Sequence, residues 1–424
     1  MRHANVWEET AVAAPAVPVL EGAHRADVLV VGAGYLGLSA ALHLAEAGID
    51  VTVIDAETPG WGASGRNGGQ IIPGLKHDPA ELEAMFGRER GERIWRFGAG
   101  TADFVLDLVA RRGLSCGARR APWVQGIHSR KAAERARRRV DDWIRRGAPV
   151  DYLEREQVAA IAGTDVYIGA FVDRRAGALQ PLSYARELAR AAQASAARVY
   201  AGARVVALTR NADGWRAVTA TGASVQAQTA VLATNAYSDG VVPDLARSIV
   251  ALNSLQIATA PLPPHLRRTL LPNGETISDT RRVIRYWRLD DDGRLLMGGR
   301  GPSRDPDPAS DWAHLAGDVR RHFPALRDIP FTHRWGGRVA MHVDYLPRLH
   351  RPQPGLLVAI GCQGRGVGWQ SAMGAELARL AADSNYDPVL PISPVQTIPF
   401  HAFKALGVAS TIAVYRALDR FRLS

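Results

Sequence analysis

Cysteine, lysine and long apolar runs are all scarce in this chain of 424 residues. The two cysteines, Cys116 and Cys362, lie far apart, which excludes a disulfide scaffold and a cysteine-built zinc site. No His/Cys/Asp/Glu cluster has metal-ligand spacing, and His322 and His333 stand isolated. No apolar run approaches the ~18–20 residues needed to span a bilayer. The best stretch, 406–415, is too short and holds Ser410 and Thr411. The opening MRHANVWEET has Glu8 and Glu9 where a secretion signal needs positive charge, and Pro15 and Pro18 interrupt the apolar stretch after it. A cytoplasmic protein is therefore expected. Lysine occurs only at Lys76, Lys131 and Lys404, so 49 of the 52 basic residues are arginine. That ratio looks like genome-wide codon bias, and the net charge of +10 need not mean phosphate recognition. The densest basic run, 130–146, is interrupted by Glu134, Asp141 and Asp142. It reads as the solvated face of a helix with Ala133, Val140 and Ile144 inward, so no nucleic-acid partner is expected. The 47% hydrophobic and 22% charged content is that of a globular protein, here of two or three domains.

The pattern sharpens at Ala26. Asp27-Val-Leu-Val-Val-Gly32 reads as a buried strand, 35–47 as a helix stopped by Gly48, and 50–55 as a second strand. This βαβ unit begins a parallel doubly wound sheet. Residues 80–112 are mostly helical, 119–175 mix short strands with the arginine-rich helix, and 184–197 form another helix. Short strands are expected at 204–208, 215–219, 223–226 and 229–233. A hairpin is expected at 283–289 and 294–298, around Asp290-Asp-Asp-Gly293. Residues 356–361 form a last buried strand, with a glycine turn and a helix over 371–382 after it. The fold class is thus α/β with α+β inserts: a discontinuous Rossmann-like nucleotide domain over 26–110, 165–240 and 335–385. An antiparallel-sheet substrate domain occupies 111–164 and 241–334, with an arm at 1–25 and a helical tail at 386–424.

Gly32-Ala-Gly34-Tyr35-Leu36-Gly37 fits G-x-G-x-x-G between a strand and a helix. The first glycine makes the tight turn, the second admits a pyrophosphate, and the third lets helix and strand approach. The helix start offers N–H groups and partial positive charge to the phosphates. Asp55 ends the second strand 18 residues after Gly37, where an acid accepts from ribose hydroxyls. A second glycine-rich stretch, Gly60-Trp-Gly-Ala-Ser-Gly-Arg-Asn-Gly-Gly-Gln70, comes soon after. A nicotinamide domain would continue into its next helix and strand here, whereas exposed backbone N–H groups suit a larger planar ligand.

These two segments, GAGYLGLSAALHLAEAG and VIDAETPGWGASGRNGGQ, closely resemble the FAD-dependent amine and amino-acid oxidases of the D-amino-acid oxidase/glycine oxidase superfamily. The similarity is strongest to the γ-glutamylputrescine oxidase branch. Gly177-Ala-Leu-Gln-Pro181, Val231-Leu-Ala-Thr-Asn-Ala236, the hairpin from Tyr286 to Arg300, Trp335-Gly-Gly-Arg-Val-Ala340 and Gly361-Cys-Gln-Gly-Arg-Gly-Val367 extend it over essentially the whole chain.

The resemblance implies FAD bound in an extended form. Gly32, Gly34, Tyr35, Leu36 and Gly37 would hold the pyrophosphate, and Asp55 with Ala56 the adenosine ribose. Ser64, Gly65, Arg66, Asn67, Gly68, Gly69 and Gln70 would follow the flavin side. Val205 would offer its backbone to the adenine, and Thr234, Asn235 and Ala236 would lie near the phosphates. Gly337 and Arg338, with Gly361, Gly364, Arg365, Gly366 and Val367, would close over the isoalloxazine. Gln70, Tyr286 and Arg365 are the substrate-side candidates, and no obligatory side-chain base is expected. Sarcosine-oxidase-like relatives carry a flavin-linking cysteine in the segment corresponding to 335–347. This chain has none there, so FAD is expected to be non-covalent, with Cys362 a packed residue. Arg365 stands where many relatives have histidine, and His342 where the branch has a small polar residue. Arginines that clamp an α-carboxylate in such relatives are missing from Gly69 to Gly74.

The implied activity is oxidation of a primary or secondary amine by hydride transfer to flavin N5. Hydrolysis of the imine and reoxidation by oxygen would give aldehyde or ketone, released amine and hydrogen peroxide. An amino-acid dehydrogenase reducing a quinone and a non-catalytic flavin-binding protein are the alternatives. The tail helix, with Arg416, Arg420 and Arg422, is expected to pack on the body, with peripheral membrane contact as the other option.

Overall fold

The computed structural model describes residues 1–421, and Arg422 lies outside them. Among the described residues, two nine-stranded sheets and a three-stranded one carry the fold. The first sheet is built around parallel strands in the order Arg198–Tyr200, Val51–Ile54, Ala23–Val31, Ser224–Leu232, Leu356–Ile360. Alternate residues of its strands feed two different cores. Val28, Val30, Val51 and Val53 pack with Leu38, Leu42, Leu188, Met373 and Leu377. Leu29, Val31 and Ile54 pack with Trp215, Ala217 and Val358 on the other side. Burial on both faces is why the central runs 28–31, 230–232 and 356–360 are apolar at every position rather than at every second one.

The segments expected as separate strands at 223–226 and 229–233 form one strand, Ser224–Leu232. Its first half pairs with the antiparallel strand Gly214–Thr219, and its whole length pairs with Ala23–Val31. One strand serving two partners has no signature in local hydrophobicity.

The second sheet runs Arg2–His3, Phe331–Met341, Val250–Pro261, Arg294–Arg300, Arg285–Leu289, Thr276–Asp279, Trp123–Ile127, Gly169–Asp173, Val150–Glu154. Phe331–Met341 and Gly169–Asp173 belong to it, although 335–341 and 169–173 fall within the segments expected to build the nucleotide part. Both are pulled across by long antiparallel pairing, which sequence spacing does not reveal. On one face Leu255, Ile257, Trp287, Met297, Leu315 and Val319 form a core under the helix Ala313–His322. The other face meets the first sheet's loops.

Three further expectations are corrected. The arm is ordered as a strand, Arg2–His3, and a helix, Val6–Thr10, whose Val6 and Trp7 are buried. In the helix Arg130–Arg145 the inward side chains are Ala136, Val140 and Trp143, while Ile144 is 53% exposed. The stripe thus runs i, i+4, i+7 from Ala136, one position away from Ile144. The late helix spans Gly366–Ala382, five residues earlier than its expected start at Ser371. The C-terminal helix Lys404–Arg420 contacts the body: the Asp419 carboxylate accepts from the amides of Arg282 and Val283 at 2.9 and 3.0 Å. No helix among the described residues is long and apolar enough to cross a membrane.

Candidate cofactor and substrate site

The carboxyl ends of three parallel strands converge on one crevice. Gly32 follows Ala23–Val31 with a φ of +111°, and a Cβ there would lie 3.0 Å from the Ala233 carbonyl oxygen. Only glycine fits so tight a turn. Beside it, Asn235 accepts from the Gly361 amide at 3.0 Å through its side-chain oxygen, tying the turn after Ser224–Leu232 to the turn after Leu356–Ile360. Thr234 is held by Ser238 at 2.7 Å. The helix Tyr35–Glu46 opens into this crevice with no side-chain cap from Gly34. Ser64 Oγ accepts from the Tyr35 amide at 3.1 Å, and the next amides, of Leu36 and Gly37, are left as donors for an outside anion. The Tyr35 side chain is itself buried and donates to the Pro181 carbonyl at 2.9 Å, so its share in this site is its backbone.

Asp55 sits at the far end of the crevice. Its carboxylate accepts from the amides of Ala33 at 2.5 Å and Glu57 at 2.8 Å. Burial lifts this carboxyl above its ordinary range, with those amides pulling the other way. Beyond Asp55, the Ala203 and Gly202 amides donate to the carbonyls of Asp55 and Glu57 at 2.7 and 3.1 Å. This brings Ala56 and Val205 alongside the acid. Val205 is buried and paired with Thr219.

The second glycine stretch is stitched down by side chains. Asn67 Nδ2 donates to the Tyr35 hydroxyl and to the carbonyls of Ala63 and Ser64, and Oδ1 accepts from the Gly69 amide. Two groups of the arm reach the same loop: Asn5 donates to the Gly65 carbonyl and Trp7 Nε1 to the Asn67 carbonyl, each at 2.8 Å. From the second sheet, Gln256 and Trp335 donate to the Arg66 carbonyl at 2.7 and 3.0 Å. The loop is therefore clamped between both sheets.

Below it, the register places Gly337, Ser254, Gln256, Gly298, Tyr286, Ser278 and Gln125 on one sheet face. Tyr286 and Arg288 share this face. Trp287 points the other way and stacks on Tyr167, as period-two alternation requires. The Tyr286 ring lies over Gly298, where an added Cβ would come 2.0 Å from it, and borders Gly68. Its hydroxyl is 2.8 Å from Ser254 Oγ. Burial pushes the phenol up to about 12, so at neutral pH it is a hydrogen-bonding group and not a base.

The remaining candidates fall into two groups. Gln70 spends its amide on the carbonyls of Ile277 and Trp287 at 3.1 and 3.2 Å, so it joins the glycine loop to the sheet. Arg338 turns its guanidinium to Asp305 at 2.6 Å, leaving its backbone, beside Gly337, as the part near the loop. Arg365 caps the start of Gly366–Ala382. Its guanidinium donates to the Pro73 carbonyl at 2.7 Å and lies 5.1 Å over the Trp123 ring. Gly364 and Val367 flank it in the turn, and Gly366 lies 3.6 Å, by an added Cβ, from Cys362 Sγ. Sequence patterns carried no signal for Ser254, Gln256 and Arg300 on the Tyr286 face.

His342 packs on the Gly361 turn, with Nδ1 3.1 Å from Gln363 Nε2. Burial, aided by Arg348, pushes its imidazole down to about 4. The unfolded chain thus takes up this proton first, so stability is full above the ordinary histidine range and lost as pH falls toward 4. Urea unfolding between pH 4.5 and 7 is expected to show a shallower pH dependence for His342→Gln than for wild type, by up to about 1.4 kcal/mol per pH unit. Equal slopes would remove His342 as a source of acid sensitivity.

The crevice offers features an extended dinucleotide flavin can use: a tight glycine turn at a helix start, an acid at the end of the next strand, and a long glycine loop. On the sheet face turned to that loop, Gln256 Oε1 and Arg300 Nη2 are buried with no partner among the described residues. One unpaired acceptor and one unpaired donor suit a planar ring with a polar edge carrying both carbonyl and N–H groups. The fold and crevice thus define a flavin-dependent oxidoreductase.

Residues 27–380 match the family described as FAD dependent oxidoreductase (DAO), and the chain belongs to that family. It is 32% identical to the probable oxidoreductase OrdL of Rhizobium meliloti (strain 1021), over 88% of this chain and 87% of that protein. It is 30% identical to the gamma-glutamylputrescine oxidoreductase of Escherichia coli (strain K12), over 84% of this chain and 83% of that protein. In fold it is similar to glycine oxidase from Geobacillus kaustophilus, with a TM-score of 0.73 and 20% identity, covering 89% of this chain and 99% of the other.

Proposed function

We propose that this FAD-dependent oxidoreductase oxidises the C–N bond of a primary or secondary amine whose reacting carbon bears no carboxylate. When bound, FAD supplies a hydride acceptor for the carbon next to nitrogen and a route for the electrons to oxygen, so that aldehyde or ketone, released amine or ammonia, and hydrogen peroxide are formed. One observation bears on α-amino acids: the arginines at 285, 288 and 338 are committed to partners of their own, which leaves Arg300, opposite Ser254, as the arginine of the Tyr286 face without an ion pair among the described residues. Arg285 is paired with Asp318, Arg338 with Asp305, and Arg288 with the carbonyls of Gly68 and Leu179. Gln70 is neutral and engaged, and a carboxylate buried there unpaired would cost several kcal/mol. Tyr286 and Ser254 form the polar wall against which a neutral amine is oriented, and the clamped glycine loop keeps bulk water off that wall.

Assays under air test this reading. Peroxide is expected from monoacylated diamines or simple amines, at a kcat/KM above that for sarcosine, glycine or D-amino acids. The reverse order would overturn it. Tyr286→Phe is expected to change kcat or KM by roughly 3- to 15-fold, the worth of one neutral hydrogen bond, with FAD content unchanged. Unaltered kinetics on the true substrate would remove Tyr286 from the site.

A further inference from the structure

Five consecutive carbonyls of the glycine loop, from Gly65 to Gly69, each accept from a donor outside the loop. Asn5 reaches Gly65 at 2.8 Å, Gln256 and Trp335 reach Arg66 at 2.7 and 3.0 Å, and Trp7 Nε1 reaches Asn67 at 2.8 Å. Arg288 Nε reaches Gly68 at 2.6 Å, and the Leu179 amide reaches Gly69 at 2.9 Å. The amides are spent differently. Those of Gly65, Arg66 and Asn67 donate back to the carbonyls of Gly62 and Ala63, and that of Gly69 to Asn67 Oδ1. The Gly68 amide has no acceptor among the described residues. Gly68 is half-buried, and a Cβ added to it would lie 3.2 Å from the Tyr286 ring and 3.6 Å from Gln256 Oε1. A loop with every carbonyl taken and one N–H unspent offers a ligand a donor.

The direction of that N–H is set from the arm. The Asn67 carbonyl and the Gly68 amide belong to one planar trans peptide, so drawing the oxygen toward Trp7 aims the hydrogen the opposite way. Trp7 is itself held still. Its ring is buried, meets Trp335 edge-on at 6.2 Å and lies 5.1 Å beneath the Arg288 guanidinium, while its carbonyl accepts from Gln180 at 2.8 Å. Asn5 caps the helix Val6–Thr10 by accepting from the Trp7 amide at 3.2 Å. On one side of this crossing Arg2–His3 pairs with Phe331–Met341 of the second sheet. On the other, Arg186 donates to the Val12 carbonyl at 2.6 Å, and the Ala201 amide to the Pro18 carbonyl at 3.0 Å. The arm is thus fixed at both ends and crosses the loop between them.

We propose that Trp7 is a positioning residue of the flavin site: through the Asn67–Gly68 peptide it aims the Gly68 N–H at the acceptor edge of the isoalloxazine, with Asn5 holding the preceding turn of the loop. This rests on the reading that the glycine loop borders the flavin. That edge gains negative charge when the flavin is reduced, so an N–H facing it favours the reduced form and a carbonyl facing it opposes it. Without the indole N–H, the Asn67 carbonyl stays unpaired or swings toward the ligand, and the Gly68 amide turns with it.

FAD titration and the midpoint potential of the bound flavin test this on the full chain. Trp7→Phe keeps a ring against Trp335 and Arg288 but has no N–H. It is expected to bind FAD roughly 3- to 15-fold more weakly, with a more negative midpoint potential than wild type. Asn5→Ser retains the helix cap and is expected to shift both readouts in the same direction by less. Arg186→Ala frees the arm from helix Pro181–Ala194 without touching the loop. It is expected to lower the unfolding midpoint and leave FAD affinity and potential as in wild type. A Trp7→Phe protein that behaves like Arg186→Ala overturns the proposal, as does wild-type affinity and potential in Asn5→Ser should Trp7→Phe not fold. Failure of the underlying reading looks different. Asn67→Ala, which loosens the loop from within, would then leave FAD affinity and the flavin spectrum unchanged, and the loop reading and the proposal would fall together.

Discussion

Gly37→Ala is expected to unfold the nucleotide crevice more than any other single methyl addition along its turn. A Cβ at this position would lie 1.9 Å from the Gly32 carbonyl oxygen and 3.1 Å from Val30 Cγ1. The first obstacle is backbone, so it moves only if the glycine turn or the helix Tyr35–Glu46 moves with it. That helix packs through Leu36, Leu38 and Leu42 on the first sheet, so a shift loosens the main core as well. A stability loss of about 3 kcal/mol or more is expected, at the upper end of overpacking effects. Urea unfolding of the protein without FAD, together with FAD titration, measures both consequences. Gly100→Ala is the control. Gly100 lies inside the helix Arg88–Arg112 with open space where a Cβ would go, and alanine there is expected to be neutral or stabilising. A Gly37→Ala protein with wild-type midpoint and FAD affinity would show that the close helix–strand approach does not hold the turn.

Asp55→Ala is expected to be the most damaging change to FAD retention that leaves the chain folded. The carboxylate has two duties, which one substitution removes together. It accepts from the Ala33 amide inside the glycine turn, and from Glu57 at the start of the next loop, so it shapes the crevice before any ligand arrives. Its position beside Val205 and the Gly202–Ala203 backbone also suits the adenosine end. Charge-assisted hydrogen bonds are worth roughly 1.5–3 kcal/mol each, so losing even one that holds the bound ribose weakens FAD by roughly 10- to 150-fold, before the loosened turn adds to it. Asp55→Asn keeps one acceptor oxygen and is expected to fall between. Equilibrium titration of the FAD-stripped proteins checks this, and wild-type affinity in Asp55→Ala would place the adenosine end elsewhere.

The sequence carried those parts of the candidate site whose geometry is local. Gly32, Gly34, Gly37 and Asp55 could be read because a turn, a helix start and a strand end lie within one βαβ unit, where spacing fixes geometry. The alternation that sends Tyr286 and Arg288 to one face and Trp287 to the other came from the pleat alone. The glycine loop from Gly60 to Gln70 was legible as a ligand wrap by composition, and the family by its motifs. The outcomes of strand pairing were not legible. Whether 223–233 is one strand or two, and to which sheet 331–341 belongs, depends on partners remote in the chain. The buried arm was missed for the same reason: Trp7 is anchored by the Asn67 carbonyl and by Ala258, Leu296 and Trp335 of the second sheet, not by any pattern in 1–25.

By itself, then, the sequence determined an α/β protein of a FAD-dependent family, with a βαβ unit at its start. Only the tertiary structure decided what each arginine is paired with. Arg285, Arg288, Arg338 and Arg365 are alike in sequence, four among 49 arginines. Arg285 and Arg338 find carboxylates, Arg288 finds the carbonyls of Gly68 and Leu179, and Arg365 finds the Pro73 carbonyl and the face of Trp123. The physical reason is that a charge acts through its surroundings: burial, distance and counter-ions set its energy, and these are properties of packing between segments remote in the chain.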